Sequence, residues 1–353
     1  MSLTIEQLPF GAMPDGTQTS LFRMTNENGA IAEVSSYGAT LVGVIIPDKN
    51  GNMTRVVKGF PSIEGYLADL EINSYLGATC GRYANRINRG RFTLDGEDYQ
   101  LACNNGENHL HGGPTGYHCK NWDARIEDDT IVFSLTSPDG EEGYPGNLKM
   151  EVRYGWSITN ELSIHYSAVC DKNTPLNLTS HAYFNLAGQG DILEHEMQIF
   201  ADKFVPIHAD AIPTGEILLV KDSAFDFRQP KAIGCDINKY EEQLKNGSGY
   251  DHCYVINKKE FGDLALAVSV KAPSTGCCLN VWTTLPGVQF YSGNYLRSDV
   301  ISCDGKPLAY RHAFCLEPEF FPDSPNQSGF PNCILPAGEE FDQTIIYQFS
   351  TEE

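Results

Sequence analysis

Apolar residues return at every second position over several stretches of the chain. Met150, Val152, Tyr154, Trp156 and Ile158 form one series, and Leu162, Ile164, Tyr166 and Ala168 a second. Leu264, Leu266, Val268 and Val270 form a third, and Ile345, Tyr347 and Phe349 a fourth. A period of two places alternate side chains on one face of a strand, so each series predicts a strand with one buried face. The dipeptides Asn28–Gly29, Asn50–Gly51, Asp95–Gly96 and Asp139–Gly140 are those that tolerate the positive φ of tight hairpins. RFTLDGEDYQL reads as a nearly complete hairpin, with Phe92 and Leu94 facing Tyr99 and Leu101. Helical signals are confined to 62–71 and 238–246. Strands do not alternate with long helices, which argues against a parallel βαβ sheet. No linker, low-complexity stretch or short repeat divides the sequence. The pattern predicts an all-β protein, a single domain over 1–353. Its expected architecture is a large antiparallel β-sandwich with few short helices and with loops building a cleft.

Composition narrows the function. At 353 residues, 41% hydrophobic and 11% aromatic, the chain has the means to bury a large core. A formal net charge of −21, spread along the chain, would repel phosphates, so no nucleic-acid partner is expected. No apolar run reaches the roughly 18 residues of a membrane span, so no membrane association is expected. The first residues, MSLTIEQLPFGAMPDG, lack the basic region and apolar stretch of a secretory leader. The eleven cysteines are irregularly spaced, with no C-x-x-C pair. They read as reduced thiols of a cytoplasmic protein rather than as a disulfide or zinc framework, and no metal is expected.

Four segments depart from ordinary strand-and-turn sequence: GRYANRINRGRF (81–92), ENHLHGG (107–113), NLTSHAYFNLAG (177–188) and HAFCLEPEFFPDSPN (312–326). Two shorter ones are GYDHCY (249–254) and LPGVQFYSGN (285–294). Taken singly, each has a structural explanation: arginines as surface charge, histidines as hydrogen-bonded core groups, aromatics as packing. Glu317 is harder to explain that way. It ends an apolar run, and a buried carboxylate costs several kcal/mol unless paired or hydrogen-bonded. There is no phosphate-binding loop and no G-x-S-x-G nucleophile turn. Planar polar groups beside aromatic rings suit a neutral polyhydroxyl ligand, whose hydroxyls need partners and whose C–H faces need a platform.

The six segments, in this order and spacing, resemble the aldose 1-epimerase (galactose mutarotase) family over nearly the whole chain. The resemblance implies a β-sandwich with a sugar cleft, an isomerase that needs no cofactor, and a monosaccharide as substrate. It implies a general acid at His181 and a general base at Glu317. It places Asn85, Arg86, His111, Tyr183, Asp251 and Gln289 against the sugar, and leaves His109 outside the site. Where the family often has Glu-Thr-Gln, this chain has Glu317–Pro318–Glu319. In a strand both carboxyls would share a face, and close approach would raise one pKa. Either a monomer or a homodimer is compatible with the sequence.

Anomers interconvert by ring opening: O1 loses a proton, O5 gains one, C1–O5 breaks, and the aldehyde turns and recloses. Two proton-transfer groups are therefore needed, each worth roughly 10²–10⁴-fold in rate. Asp251 is a candidate to hold His181 protonated. Three other readings compete. A glycosidase would use two carboxylates across a glycosidic bond. A non-catalytic sugar binder would share the fold alone. A hexose-6-phosphate epimerase would need a basic pocket, for which Arg82, Arg89 or Arg91 are candidates.

Overall fold

The computed structural model describes residues 3–352; Met1, Ser2 and Glu353, at the ends of the expected domain, lie outside the described residues. Two sheets dominate them, one of eleven strands and one of nine. Neighbouring strands in both run antiparallel, as the two-residue period and hairpin dipeptides require.

The nine-stranded sheet contains the alternating series. Met150, Val152, Tyr154 and Trp156 lie opposite Ala168, Tyr166, Ile164 and Leu162, and Ile164 and Leu162 lie opposite Ile345 and Tyr347. These side chains are buried. This sheet packs against the larger one through ring contacts such as Phe22–Phe133 and Phe184–Tyr347, with centroids 5.8 and 5.0 Å apart. Two tyrosine hydroxyls that enter this interior are satisfied across it, Tyr154 donating to Ala39 O at 2.8 Å and Tyr347 to Leu316 O at 3.1 Å, whereas the Tyr166 hydroxyl is buried without a partner.

The sequence pattern fails where the backbone leaves its two-residue period. Ile158 falls past the end of its strand and is exposed. Leu264 precedes the strand Ala265–Lys271, where a bulge between Leu266 and Val268 buries Ala267 and Val268 in succession. Asn28–Gly29, Asn50–Gly51 and Asp95–Gly96 do make tight connections. Phe92 stacks on Tyr99 at 5.0 Å, but Leu94 faces Glu97 rather than Leu101. Asp139–Gly140 begins a longer loop with its own 3₁₀ turn. The two expected helices shorten to Ile63–Asp69 and Glu242–Asn246. In the second, the Lys239 N–H bonds Asp236 O at 2.8 Å and closes a turn where the helix was expected to start.

Four central strands of the larger sheet position the cleft: Tyr183–Phe184, Phe314–Glu319, Gly287–Tyr291 and Asp251–Val255. Phe184, Phe314, Leu316, Val288, Phe290 and Tyr254 belong to the hydrophobic interior between the sheets. The alternate residues therefore face away from it.

Candidate active site

The outward row is chemically different. Residues directly opposite each other in an antiparallel pair share a face. Gln289 lies opposite both Glu317 and Cys253, Tyr291 opposite both Cys315 and Asp251, and Cys315 opposite Tyr183. Period and register together thus gather Asp251, Gln289, Tyr291, Cys315, Glu317, Glu319 and Tyr183 on one surface. Most of these line a cleft of about 450 Å³, a size suited to a small ligand.

Loops supply the remaining wall. His181 sits between the short strands Thr179–Ser180 and Tyr183–Phe184. Its backbone is held on both sides: its N–H donates to Ala78 O, and its O accepts from the Gly77 N–H, both at 2.9 Å. Its ring stacks on Tyr183 with centroids 5.1 Å apart, and Tyr183 is itself anchored by donation from its hydroxyl to Ser74 O at 2.9 Å. His181 Nε2 lies 3.6 Å from Glu317 Oε2, and Nδ1 lies 3.6 Å from Cys315 Sγ.

Asn85 and His111 clasp each other. The Asn85 N–H donates to His111 Nδ1, and the His111 N–H to Asn85 O, both at 3.1 Å. Both residues have left-handed backbones, with φ of 64° and 49°; asparagine tolerates this better than histidine. Gly112 follows because a Cβ there would collide with Gly81 O, so this loop must carry a glycine. Arg86 reaches Asn105 Oδ1 through Nε at 3.0 Å, and Gln289 Nε2 donates to Asp251 Oδ1 at 2.7 Å.

All eight residues inferred from the sequence line the cleft. Tyr75, Asn105, Tyr291 and Asp210 join them there; Tyr291 belongs to the conspicuous LPGVQFYSGN segment but was not picked out, and the other three come from sequence with no distinctive residue type. Glu319 lies beneath, fully buried, accepting from Asn85 Nδ2 at 2.9 Å. His109 is tied to Ala102 O and Tyr144 Oη and stays out of the cleft. Arg82 is buried and donates to Pro145 O, Gly146 O, Thr174 and Ser137; Arg89 and Arg91 are exposed. None of these three arginines lines the cleft, which removes the basis for a phosphate pocket built from them.

The protonation pattern corrects one expectation. Burial pushes His181 down to about 4. Burial also raises Glu317 well above the carboxylate range; Asp251 adds to the rise and Arg86 opposes it. Asp251 therefore acts on Glu317 and does not hold His181 protonated, because its carboxylate faces Gln289. Burial and then Glu317 raise Glu319 as well, so both carboxyls are shifted upward, chiefly by burial, where their proximity alone predicted a rise in one.

His111, His181 and Glu317 bring candidate ligand atoms within 4.8 Å of one another, a spacing a metal could bridge. Yet His111 Nδ1 is occupied as an acceptor, so its neutral ring carries the proton on Nε2. That favours a hydrogen-bond donor over a ligand.

Fold and site thus define a β-sandwich enzyme with a buried histidine–carboxyl pair at the floor of a sugar-sized cleft. Comparison with known proteins makes this specific. The description Aldose 1-epimerase matches residues 20–348. The galactose mutarotase of Bos taurus is 40% identical over 351 residues, 99% of either chain. The aldose 1-epimerase of Escherichia coli is 38% identical over 343 residues, 96% of this chain and 97% of the other. Among solved structures, the galactose 1-epimerase of Lactobacillus acidophilus superposes with a TM-score of 0.86 at 28% identity, covering both chains in full. An aldose epimerase homologue from C. elegans gives 0.85 at 30% identity, over 99% of this chain and 100% of the other. The chain belongs to the aldose 1-epimerase family.

Proposed function

We propose that this protein is a single-domain mutarotase. It interconverts the α and β anomers of free aldohexoses such as galactose and glucose, with Glu317 as general base at O1 and His181 as general acid at O5. The observation that carries this reading is the His181–Glu317 contact at 3.6 Å on the floor of the cleft. Burial disfavours charge on both side chains, so in this reading the pair holds one shared proton, which is what ring opening needs. An O1–H donating to Glu317 favours its carboxylate, and O5 accepting from His181 Nε2–H favours the imidazolium. The sugar thereby draws the resting neutral pair toward the reactive ion pair. Reclosure on the other face returns both protons, so no cofactor is consumed.

The remaining groups grip the spectator hydroxyls. His111 donates through Nε2, Arg86 donates, Asp251 accepts, and Asn85 and Gln289 do either, while Tyr183 supplies a ring. Every one of these comes from a single chain, so a monomer or a homodimer would both be competent. Eleven unpaired cysteines support a reducing compartment, the cytoplasm. No helix among the described residues is long and apolar enough to cross a membrane.

Polarimetry of freshly dissolved α-galactose and α-glucose tests the assignment. His181→Asn and Glu317→Gln are each expected to lower kcat by at least about 10²-fold. Wild-type rates in either variant would overturn the pairing. Sugar binding by calorimetry without accelerated mutarotation in the wild type would favour a binder instead.

A further inference from the structure

The short helix Glu242–Asn246 borders two clefts. Asn246 lines the sugar site, while Glu242 and Lys245 line a second cleft of about 500 Å³. Arg311 also lines that second cleft, and it is 6% exposed.

The surroundings of Arg311 are unlike those of the other buried cations. Lys58 pairs with Asp304 at 2.7 Å, and Arg55 with Glu33 at 2.8 Å. Arg82 has no carboxylate but donates to acceptors on Pro145, Gly146, Thr174 and Ser137. Arg82 Nε and Arg55 Nη1 are also buried without partners, but each of those side chains is well bonded through another nitrogen. The Arg311 guanidinium has a single long bond, from Nη1 to Asn238 Oδ1 at 3.2 Å, and its Nε too is buried without a partner. No ion pair to it is formed among the described residues. The Tyr310 ring lies 4.6 Å away and offers only its face. The backbone fixes the side chain's origin: the Arg311 N–H donates to Gly293 O at 3.0 Å, and Arg311 O accepts from the Ile192 N–H at 2.9 Å.

A buried, uncompensated charge is costly, and a guanidinium fork matches two oxygens of one oxyanion. Lys245 adds positive charge at the rim, while Lys239, also there, is paired with Asp236 at 2.8 Å. Of the two rim carboxylates, Glu241 is directed at the Ala224 N–H at 2.9 Å, and Glu242 is exposed. Ile237 and Leu244 give the cleft apolar wall for a carbon moiety. Its volume exceeds what a bare ion fills.

We propose that this second cleft binds a small organic phosphate, a phosphomonoester whose phosphoryl oxygens pair with the Arg311 guanidinium while its carbon part rests against Ile237 and Leu244. The site is separate from the sugar cleft and stands whether or not the catalytic reading does. Ser248, which lines the phosphate cleft, is linked to Tyr295, which lines the sugar cleft, by a 3.3 Å hydrogen bond from Tyr295 Oη to Ser248 Oγ.

The test uses probes that lack a free aldose: inorganic phosphate, glycerol 2-phosphate and a nucleoside monophosphate. Each is titrated calorimetrically into the full chain against a chloride control. Saturable binding is expected for at least one ester, tighter than for inorganic phosphate. Arg311→Gln should weaken it by about tenfold or more, the range for removing charge-assisted hydrogen bonds. The exposed variant Lys245→Gln should weaken it severalfold, and it decides the matter if Arg311→Gln does not fold. His181→Asn should leave it unchanged. Three results would each overturn the proposal: no saturable binding, undiminished binding in both the arginine and the lysine variants, or loss of binding in His181→Asn.

Discussion

The strand Phe314–Glu319 has two faces that are equally buried and chemically opposite. Toward the sandwich interior, Phe314 and Leu316 are fully covered and belong to the hydrophobic core. Toward the cleft, Glu317 Oε2, Glu319 Oε2 and, on the neighbouring strand, Gln289 Oε1 are buried with no partner. One face stabilises the fold through apolar burial. The other is only partly satisfied by the protein: Asn85 donates to Glu319 and Gln289 to Asp251, but Glu317 Oε2 and Gln289 Oε1, whose residues line the cleft, are left free for a ligand's hydroxyls. Strain of this kind concentrates at functional sites and is held by well-packed surroundings. The contrast implies that changes on the cleft face should separate activity from stability, and changes on the interior face should not.

The largest expected effect is on the cleft face. Glu317→Gln should lose at least about 10²-fold in kcat, yet its thermal midpoint should be no lower than that of the wild type, because a neutral amide replaces a carboxyl that burial disfavours when charged. A large fall in midpoint would show that Glu317 is part of the scaffold and break the comparison.

Leu316→Ala, one residue away, should behave in the opposite way. It should cost about 2–5 kcal/mol in denaturant unfolding, while kcat per folded molecule falls far less than in Glu317→Gln. A kcat loss matching that of Glu317→Gln would mean that the two faces are not separable.

The pH dependence of kcat/KM in the wild type sharpens the picture of the shared proton. A second proton on His181, whose pKa is about 4, removes the acceptor the pair needs, so activity should fall only below about pH 4. Loss of the Glu317 proton should limit activity well above the usual carboxylate range. An acid limb near the unperturbed histidine value of about 6.5 would show that His181 is charged in the free enzyme.

Glu319→Gln should have the smallest effect. Burial and Glu317 hold Glu319 protonated, and glutamine mimics the neutral acid while still accepting from Asn85. Activity should stay close to wild type. A folded-state pKa raised above the unfolded one makes wild-type stability fall as pH rises through that interval. The stability gain of Glu319→Gln should therefore grow above pH about 4.5. Denaturant midpoints from acid to neutral pH would check this, and a gain independent of pH would count against a titrating Glu319.

The legibility of the sequence divides along similar lines. Where strands kept strict alternation, as at Met150 to Trp156, burial followed directly from the pattern. It misled at Leu264 because a bulge changes the face without changing residue type. Glu317 stood out because a carboxylate after an apolar run is chemically conspicuous, whereas His181, among small residues, looked like an ordinary core histidine until the family resemblance gave it a role. Tyr75 and Asn105 were invisible because long-range packing alone brings their loops to the cleft. Asp251 was legible as a site residue but not as Glu317's neighbour, since that depends on which strand lies between Asp251–Val255 and Phe314–Glu319.

The pairing of Gln289 with Glu317 has one more consequence, for how this sequence can change over time. Side-chain direction reverses with each residue along a strand, so a one-residue insertion or deletion between Phe314 and Glu319 would trade the carboxyl at the cleft floor for a leucine and push a charge into the interior. Substitutions in this segment can be graded in their effects, but changes in its length cannot. Descendants of this chain should vary in loop length nearly everywhere before they vary here.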